Sequence, residues 1–153
     1  MLSASVMPPA LVTGSDTTLA RTLERLTANT AVRTFGYVKD IRRLMAAADL
    51  LVTKAGGMTL AESMAADLPV LTYGSVPGQE RRNELFAARA GIALVARSRR
   101  ELGHLLDLAL DTPGLLGELR ERMRRLKRPD ASHHIVATIL AEDLRPSRAA
   151  RRP

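Results

Sequence analysis

The stretch from Asp49 to Asn83, DLLVTKAGGMTLAESMAADLPVLTYGSVPGQERRN, constrains the fold of this chain most strongly. An apolar run enters a Gly-Gly turn, a helical pattern follows, and a second apolar run ends in a polar loop with Pro and Gly. This order is typical of two parallel strands joined by a crossover helix. Such strands end at the same edge of an open α/β sheet, where ligands bind. The loops after the two strands are therefore the first candidate site.

The same alternation covers most of the chain. It predicts strands at 9–13, 31–37, 49–53, 69–73 and 92–96, separated by helices at 16–28, 40–48, 58–67 and 79–90. Beyond Ala96 the pattern is wholly helical, at 98–111, 114–127 and 131–143. We therefore predict an α/β fold, a Rossmann-like parallel sheet of about five strands flanked by helices, with a helical C-terminal end. We assign residues 1–143 to one domain and 144–153 to a basic, disordered tail.

The composition limits the kinds of site. The sequence contains no cysteine, which excludes a disulfide framework and thiolate chemistry. No apolar run approaches the roughly 18 residues that cross a bilayer. The N-terminal MLSASVMPPALV lacks the basic and long apolar regions of a secretory signal, so we expect a cytoplasmic protein.

The net charge of +7 is concentrated in ELRERMRRLKR, at 118–128, and in the tail. The simplest interpretation is a solvated helix face followed by a loose end. The alternative partner is an anionic membrane surface, which would place the protein on the inner face of the membrane. Nucleic acid is not expected, because aromatic residues make up only 3% of the chain and no reading motif is present.

The turn from Thr53 to Glu62 reads TKAGGMTLAE. Gly56 and Gly57 would allow positive φ and a close approach of the backbone to a ligand. The helix that follows offers free N–H groups to a phosphate, and Lys54 would add a cation. The alternative to a phosphate site is an ordinary strand-to-helix turn, in which the two glycines serve only the sharp bend. The turn matches neither the Walker loop nor the GxGxxG motif of dinucleotide-binding proteins.

Glu62 stands three residues after Thr59, which is the spacing of a capping box at the start of a helix. The competing interpretation places the Glu62 carboxylate where it accepts hydrogen bonds from a ribose diol. In the second loop, Gln79, Glu80 and Asn83 fall in the first turn of the next helix and suit a ligand with many hydroxyl groups. Alternatively, Glu80 only complements the dipole of that helix.

The segment GYVKDIRRLMAAADLLVTKAGGMTLAESMAADLPVLTYGSVPGQERRNELFAARAGIA resembles the C-terminal, nucleotide-sugar-binding domain of GT-B glycosyltransferases. It is most similar to the diacylglycerol sugar transferases, namely monogalactosyldiacylglycerol synthase and the bacterial processive diacylglycerol glucosyltransferases. Two motifs carry the resemblance, Thr-Lys-Ala-Gly-Gly-x-Thr-x-x-Glu and Pro-Gly-Gln-Glu-x-x-Asn. It covers residues 9–96 well and the helical end only in outline.

The resemblance implies an inverting transfer of a hexose from a UDP-sugar to a lipid hydroxyl, such as that of diacylglycerol, without a cofactor or metal. Gly56, Gly57 and Thr59 would receive the diphosphate, Glu62 the ribose hydroxyls, and backbone groups of Val38 the uracil. The donor sugar would contact residues of the second loop. The complete set of implied UDP-sugar-binding residues is Val38, Lys54, Gly56, Gly57, Met58, Thr59, Glu62, Gln79, Glu80 and Asn83.

The sequence lacks two parts of the family pattern. One is the N-terminal domain, which would bind the lipid acceptor and carry the catalytic base. The other is the strand and glycine-rich loop that open the C-terminal domain. The chain is then a fragment, or its five strands close up in a flavodoxin-like 2-1-3-4-5 order, or a separate subunit supplies the rest. We expect no turnover by this chain alone.

Two other functions fit the same scaffold. A binding or regulatory module would keep the nucleotide-sugar pocket without performing chemistry. A UDP-sugar epimerase would need acid and base residues outside this sequence.

Overall fold

The computed structural model describes residues 8–143, and the predicted tail at 144–153 lies outside the described residues. The strands are β1 (Ala10–Val12), β2 (Arg33–Phe35), β3 (Leu51–Thr53), β4 (Val70–Thr72) and β5 (Ala93–Val95). The helices are α1 (Thr17–Thr27), α2 (Ile41–Ala47), α3 (Gly57–Ala65), α4 (Gln79–Arg89), α5 (Arg99–Asp111), α6 (Leu115–Leu126) and α7 (Ala131–Asp143). Each predicted element is present at its predicted place, and every strand is shortened to three residues.

The strands pair only in parallel, which confirms the α/β fold. They form two ladders, however, rather than one continuous sheet: β1 pairs with β2, and β4 lies between β3 and β5. The 2-1-3-4-5 order would require β1 to pair with β3, and the described chain has no such ladder, so that alternative is wrong. Within the described residues, the edge of β1 away from β2 and the edge of β3 away from β4 therefore keep backbone groups outside any ladder.

The core surrounds β4, because this strand has a neighbour on each side. Val70, Leu71 and Thr72 are each 1% exposed or less. The hydrophobic cluster around them takes side chains from α3, α4 and α6 and from the approach to β5, namely Leu60, Ala87, Met123 and Ile92. In contrast, α1 has no buried residue, and every side chain described in α7 is exposed.

Two helices begin at polar side chains that accept a hydrogen bond from the first turn. Asp16 Oδ1 accepts the N–H of Leu19 at 2.8 Å at the start of α1. Ser98 Oγ accepts the N–H of Glu101 at 3.1 Å at the start of α5. Such N-caps satisfy backbone donors that have no partner within the helix. No helix within residues 8–143 has the length and apolar character needed to span a membrane.

Part of the basic segment at 118–128 forms ion pairs with carboxylates of the same chain. Lys127 Nζ lies 2.9 Å from Asp67 Oδ1, and Arg124 Nε lies 3.3 Å from Asp67 Oδ2. Arg120 Nη2 lies 3.3 Å from Asp49 Oδ1. These contacts attach α6 to the loop after α3 and to the approach to β3. The three side chains stay at least partly exposed, so this part of the segment is a solvated face that also makes ion pairs within the molecule.

Asp67 provides a test of that attachment. The hydrogen bond from Lys127 lowers the pKa of the Asp67 carboxyl, and Arg124 lowers it further. Because the pKa is lower in the folded chain, the stabilisation is complete above the unfolded pKa near 4 and is lost as the pH falls through the folded value.

We predict that Asp67→Asn lowers the free energy of unfolding at pH 7 by at most about 1 kcal/mol. Asparagine tolerates the left-handed backbone at this position, where φ is 52°. Urea unfolding at pH 7 and pH 3 checks the prediction, with Asp107→Asn on the exposed face of α5 as the control. The difference in the free energy of unfolding between Asp67→Asn and the unsubstituted chain should be smaller at pH 3 than at pH 7. A difference that is the same at both pH values would contradict the ion-pair explanation.

Candidate functional site

Two neighbouring loops form the candidate site, the β3–α3 loop (Lys54 to Gly56) and the β4–α4 loop (Tyr73 to Gly78). Thr53 is paired with Thr72 in the parallel register, so both loops leave the same edge of the ladder. The Tyr73 N–H donates to the Thr53 carbonyl at 2.9 Å, which extends the pairing to the start of the second loop. The structure thus brings together the two loops that the sequence predicts to be neighbours.

The backbone of Ala55 is held at its N–H and at its carbonyl by the second loop and its helix. Its N–H donates to Ser75 Oγ at 3.1 Å, and its carbonyl accepts a hydrogen bond from Asn83 Nδ2 at 3.0 Å. Ala55 is fully buried. We call Ser75 and Asn83 together the Ala55 clamp. Asn83 is among the sequence-predicted site residues, whereas Ser75 is not.

An ion pair joins the same two loops on their exposed side. Lys54 Nζ lies 2.7 Å from Glu80 Oε1, and Glu80 Oε2 accepts the N–H of Val76 at 2.9 Å. The hydrogen bond from Lys54, together with that from Val76, lowers the pKa of the Glu80 carboxyl. Glu80 therefore does more than complement the dipole of α4: it connects the start of this helix to the first loop.

Helix α3 begins earlier than the sequence predicts. Gly56 is its N-cap and has no capping side chain, and the Leu60 N–H closes the first turn on the Gly56 carbonyl at 2.9 Å. Thr59 is then the third helical residue, and Glu62 lies in the second turn, so the predicted capping box is wrong.

The Gly-Gly pair leaves the N-terminus of α3 uncovered. Gly56 has a φ of −66°, and Gly57 is already helical, so the predicted positive φ is wrong at both positions. A Cβ at Gly56 would lie 3.7 Å from Thr59 Oγ1, and one at Gly57 would lie 3.5 Å from Asn83 Nδ2. Both are ordinary contact distances, so the packing of the protein itself does not require glycine here. The first N–H groups of the helix are open to an acceptor from outside.

The remaining predicted site residues have fewer contacts. Glu62 is half-buried and has no hydrogen-bonding partner among the described side chains. Met58 and Gln79 are exposed at the starts of α3 and α4. Val38 follows β2, which belongs to the other ladder, and the described contacts do not place it against the two loops. Within residues 8–143 no group of three or more His, Cys, Asp or Glu side chains is arranged to hold a metal ion.

Solved structures with this architecture define the class of protein. The MurG of Acinetobacter baumannii matches with a TM-score of 0.73 and 20% identity over 88% of this chain and 42% of its own. WaaG, a glycosyltransferase of lipopolysaccharide biosynthesis, matches with a TM-score of 0.64 and 26% identity over 90% of this chain and 38% of its own. The chain has the fold of the C-terminal half of a GT-B glycosyltransferase, as the sequence predicts.

The family itself is shown by the sequence. Residues 11–128 match the family described as Glycosyl transferases group 1, and the chain belongs to this family. It is similar to the processive diacylglycerol beta-glucosyltransferases of Bacillus cereus (strain AH187) and Bacillus anthracis (strain CDC 684 / NRRL 3495), with 39% identity over 113 residues. That match covers 74% of this chain and 29% of each relative, so the chain spans less than a third of their length.

Proposed function

We propose that this chain is the donor-binding half of an inverting glycosyltransferase that moves a hexose from a UDP-sugar to a lipid acceptor such as diacylglycerol. The observation that carries the proposal is the convergence of the β3–α3 and β4–α4 loops on the uncovered N-terminus of α3. The similarity to diacylglycerol glucosyltransferases supports the lipid acceptor and the hexose. Glycosyltransferase SsfS6 from Streptomyces sp. SF2575, whose structure matches this chain with a TM-score of 0.55, is complexed with thymidine diphosphate.

The diphosphate binds at the start of α3. Gly56, Gly57 and Thr59 offer backbone N–H groups, with Met58 beside them, and Lys54 brings a positive charge to the same end of the helix. Negative charge grows on the leaving UDP as its bond to the sugar breaks. Fixed N–H dipoles stabilise that charge without reorganising, and Lys54 adds its charge by exchanging Glu80 for the diphosphate, so the chain needs no metal or other cofactor for this step.

The other parts of the donor are assigned to residues around this centre. The Glu62 carboxylate, which has no described partner, accepts the ribose hydroxyls, and backbone groups of Val38 bind uracil. Gln79, Glu80 and Asn83 contact the sugar. One amide hydrogen of Asn83 is already donated to Ala55, which leaves its second hydrogen and its carbonyl oxygen for sugar hydroxyls.

The acceptor half completes the reaction. A lipid hydroxyl attacks the anomeric carbon, the bond from that carbon to UDP breaks, and the hydroxyl proton passes to a base on an N-terminal domain or a separate subunit. Residues 1–143 form the donor domain in this proposal, and the enzyme works in the cytoplasm at the membrane surface. The chain alone binds the donor and does not turn it over.

The first prediction concerns Glu62. Calorimetric titration of the chain with UDP should give saturable binding, and Glu62→Ala should raise the dissociation constant more than about tenfold, because hydrogen bonds to a charged acceptor are lost. Glu24→Ala, on the exposed face of α1, is the matched control and should bind UDP normally. A folded chain that does not bind UDP would contradict the proposal. Normal UDP binding by Glu62→Ala would contradict the assignment of this carboxylate to the ribose hydroxyls.

The second prediction concerns Gly57. Since a Cβ at this position meets only ordinary contacts, Gly57→Ala should leave the melting temperature unchanged or slightly higher. The added methyl group covers the N-terminus of α3, so UDP affinity should fall by about tenfold or more. Gly117→Ala in α6, where a Cβ would find open space, is the control that keeps UDP affinity. Unchanged UDP binding by Gly57→Ala would place the diphosphate elsewhere.

A further inference from the structure

Ser75 makes a contact that none of the proposed donor roles uses. It lies in the turn after β4, directly after Gly74, whose φ of +74° favours glycine. This turn brings the Ser75 hydroxyl to the first loop, where Oγ accepts the Ala55 N–H at 3.1 Å. The contact joins residues 20 positions apart in the sequence, so it depends on the ladder between β3 and β4.

The buried position of Ala55 makes this hydrogen bond consequential. Ala55 is fully buried, so water is a poor replacement for Ser75. A buried N–H without an acceptor carries a desolvation penalty, and the backbone shifts to find another partner. The next two residues in the chain are Gly56 and Gly57, the N-cap and the first residue of α3. A movement of the Ala55 peptide therefore changes the direction of the N–H groups that follow it.

We propose that Ser75 is a positioning residue for the diphosphate. Its hydroxyl fixes the Ala55 N–H while Asn83 fixes the carbonyl of the same residue, and together they orient the start of α3 before any ligand binds. This inference rests on the proposed function, since it assumes that α3 receives the diphosphate. Ser75 does not touch the donor itself: it acts through Ala55.

The role is tested by comparing two ligands that differ by one phosphate. Ser75→Ala should raise the dissociation constant of UDP about tenfold and that of UMP less than about threefold, because the loss falls on the phosphate-binding backbone. Ser75→Thr keeps the hydroxyl and should restore the ratio of the two affinities. Ser98→Ala is the matched control, since Ser98 Oγ also accepts a backbone N–H at 3.1 Å but caps α5. It should leave both affinities unchanged.

Each result decides the proposal. An equal loss of UDP and UMP binding in Ser75→Ala, or no loss of either, overturns the positioning role while leaving the proposed function in place. A threonine variant as weak as the alanine variant overturns the role of the hydroxyl. No binding of UDP by the folded, unsubstituted chain overturns the proposed function and this role with it.

A second measurement does not depend on the folding of any variant. Hydrogen exchange at the Ala55 amide of the unsubstituted chain should be slow both without and with UDP, because the hydrogen bond to Ser75 is made beforehand. An Ala55 amide that exchanges freely and becomes protected only with UDP would overturn the inference.

Discussion

The parallel ladder of β3, β4 and β5 is the constraint on which the rest of this structure depends. β4 is buried along its whole length, with a strand on each side and side chains of α3, α4 and α6 clustered with Val70. Its register with β3 places Thr72 beside Thr53. The loops that follow the two strands therefore begin at the same edge of the ladder. Everything in the candidate site follows from that placement: the start of α3, the start of α4 and the contacts between the two loops.

The polar contacts at this edge divide into a buried group and an exposed group. The buried group is the Ala55 clamp, in which neutral hydrogen bonds hold the N–H and the carbonyl of one residue. The exposed group is the Lys54–Glu80 ion pair, whose energy is small because water screens it. The clamp is suited to keeping the backbone in one geometry. Charged groups near solvent exchange partners at little energetic cost, which suits residues that are to meet a charged ligand.

Much of this arrangement could be predicted from the sequence. Short apolar runs between amphipathic segments indicate every strand and helix, and the loops after 49–53 and 69–73 indicate the site, because the order of the elements along the chain and the positions of the loops follow from local pattern. The division into two ladders does not follow from local pattern, since it depends on which strands find neighbours. The same holds for the pairing of Asp67 with Arg124 and Lys127, which lie 57 and 60 residues away.

The details of the site were harder to predict for a related reason. Thr59 and Glu62 have the spacing of a capping box, but the pattern cannot show that Gly56 starts α3 first. Ser75 has no signal of its own, because a serine in a loop with Gly and Pro is typical of any turn. Its role depends on the buried Ala55 N–H, which belongs to a different loop. The family resemblance named Asn83 as a sugar ligand, and the structure shows it also holding Ala55.

In the function proposed above, the loops after β3 and β4 form one nucleotide-diphosphate site. Titration of the nitrogen-15-labelled chain with UDP, followed by NMR amide shifts, would locate that site. The largest shift changes should fall at Ala55 to Thr59 and at Ser75 to Glu80. Shift changes confined to α1 or α7, or none at all in a folded chain, would contradict it.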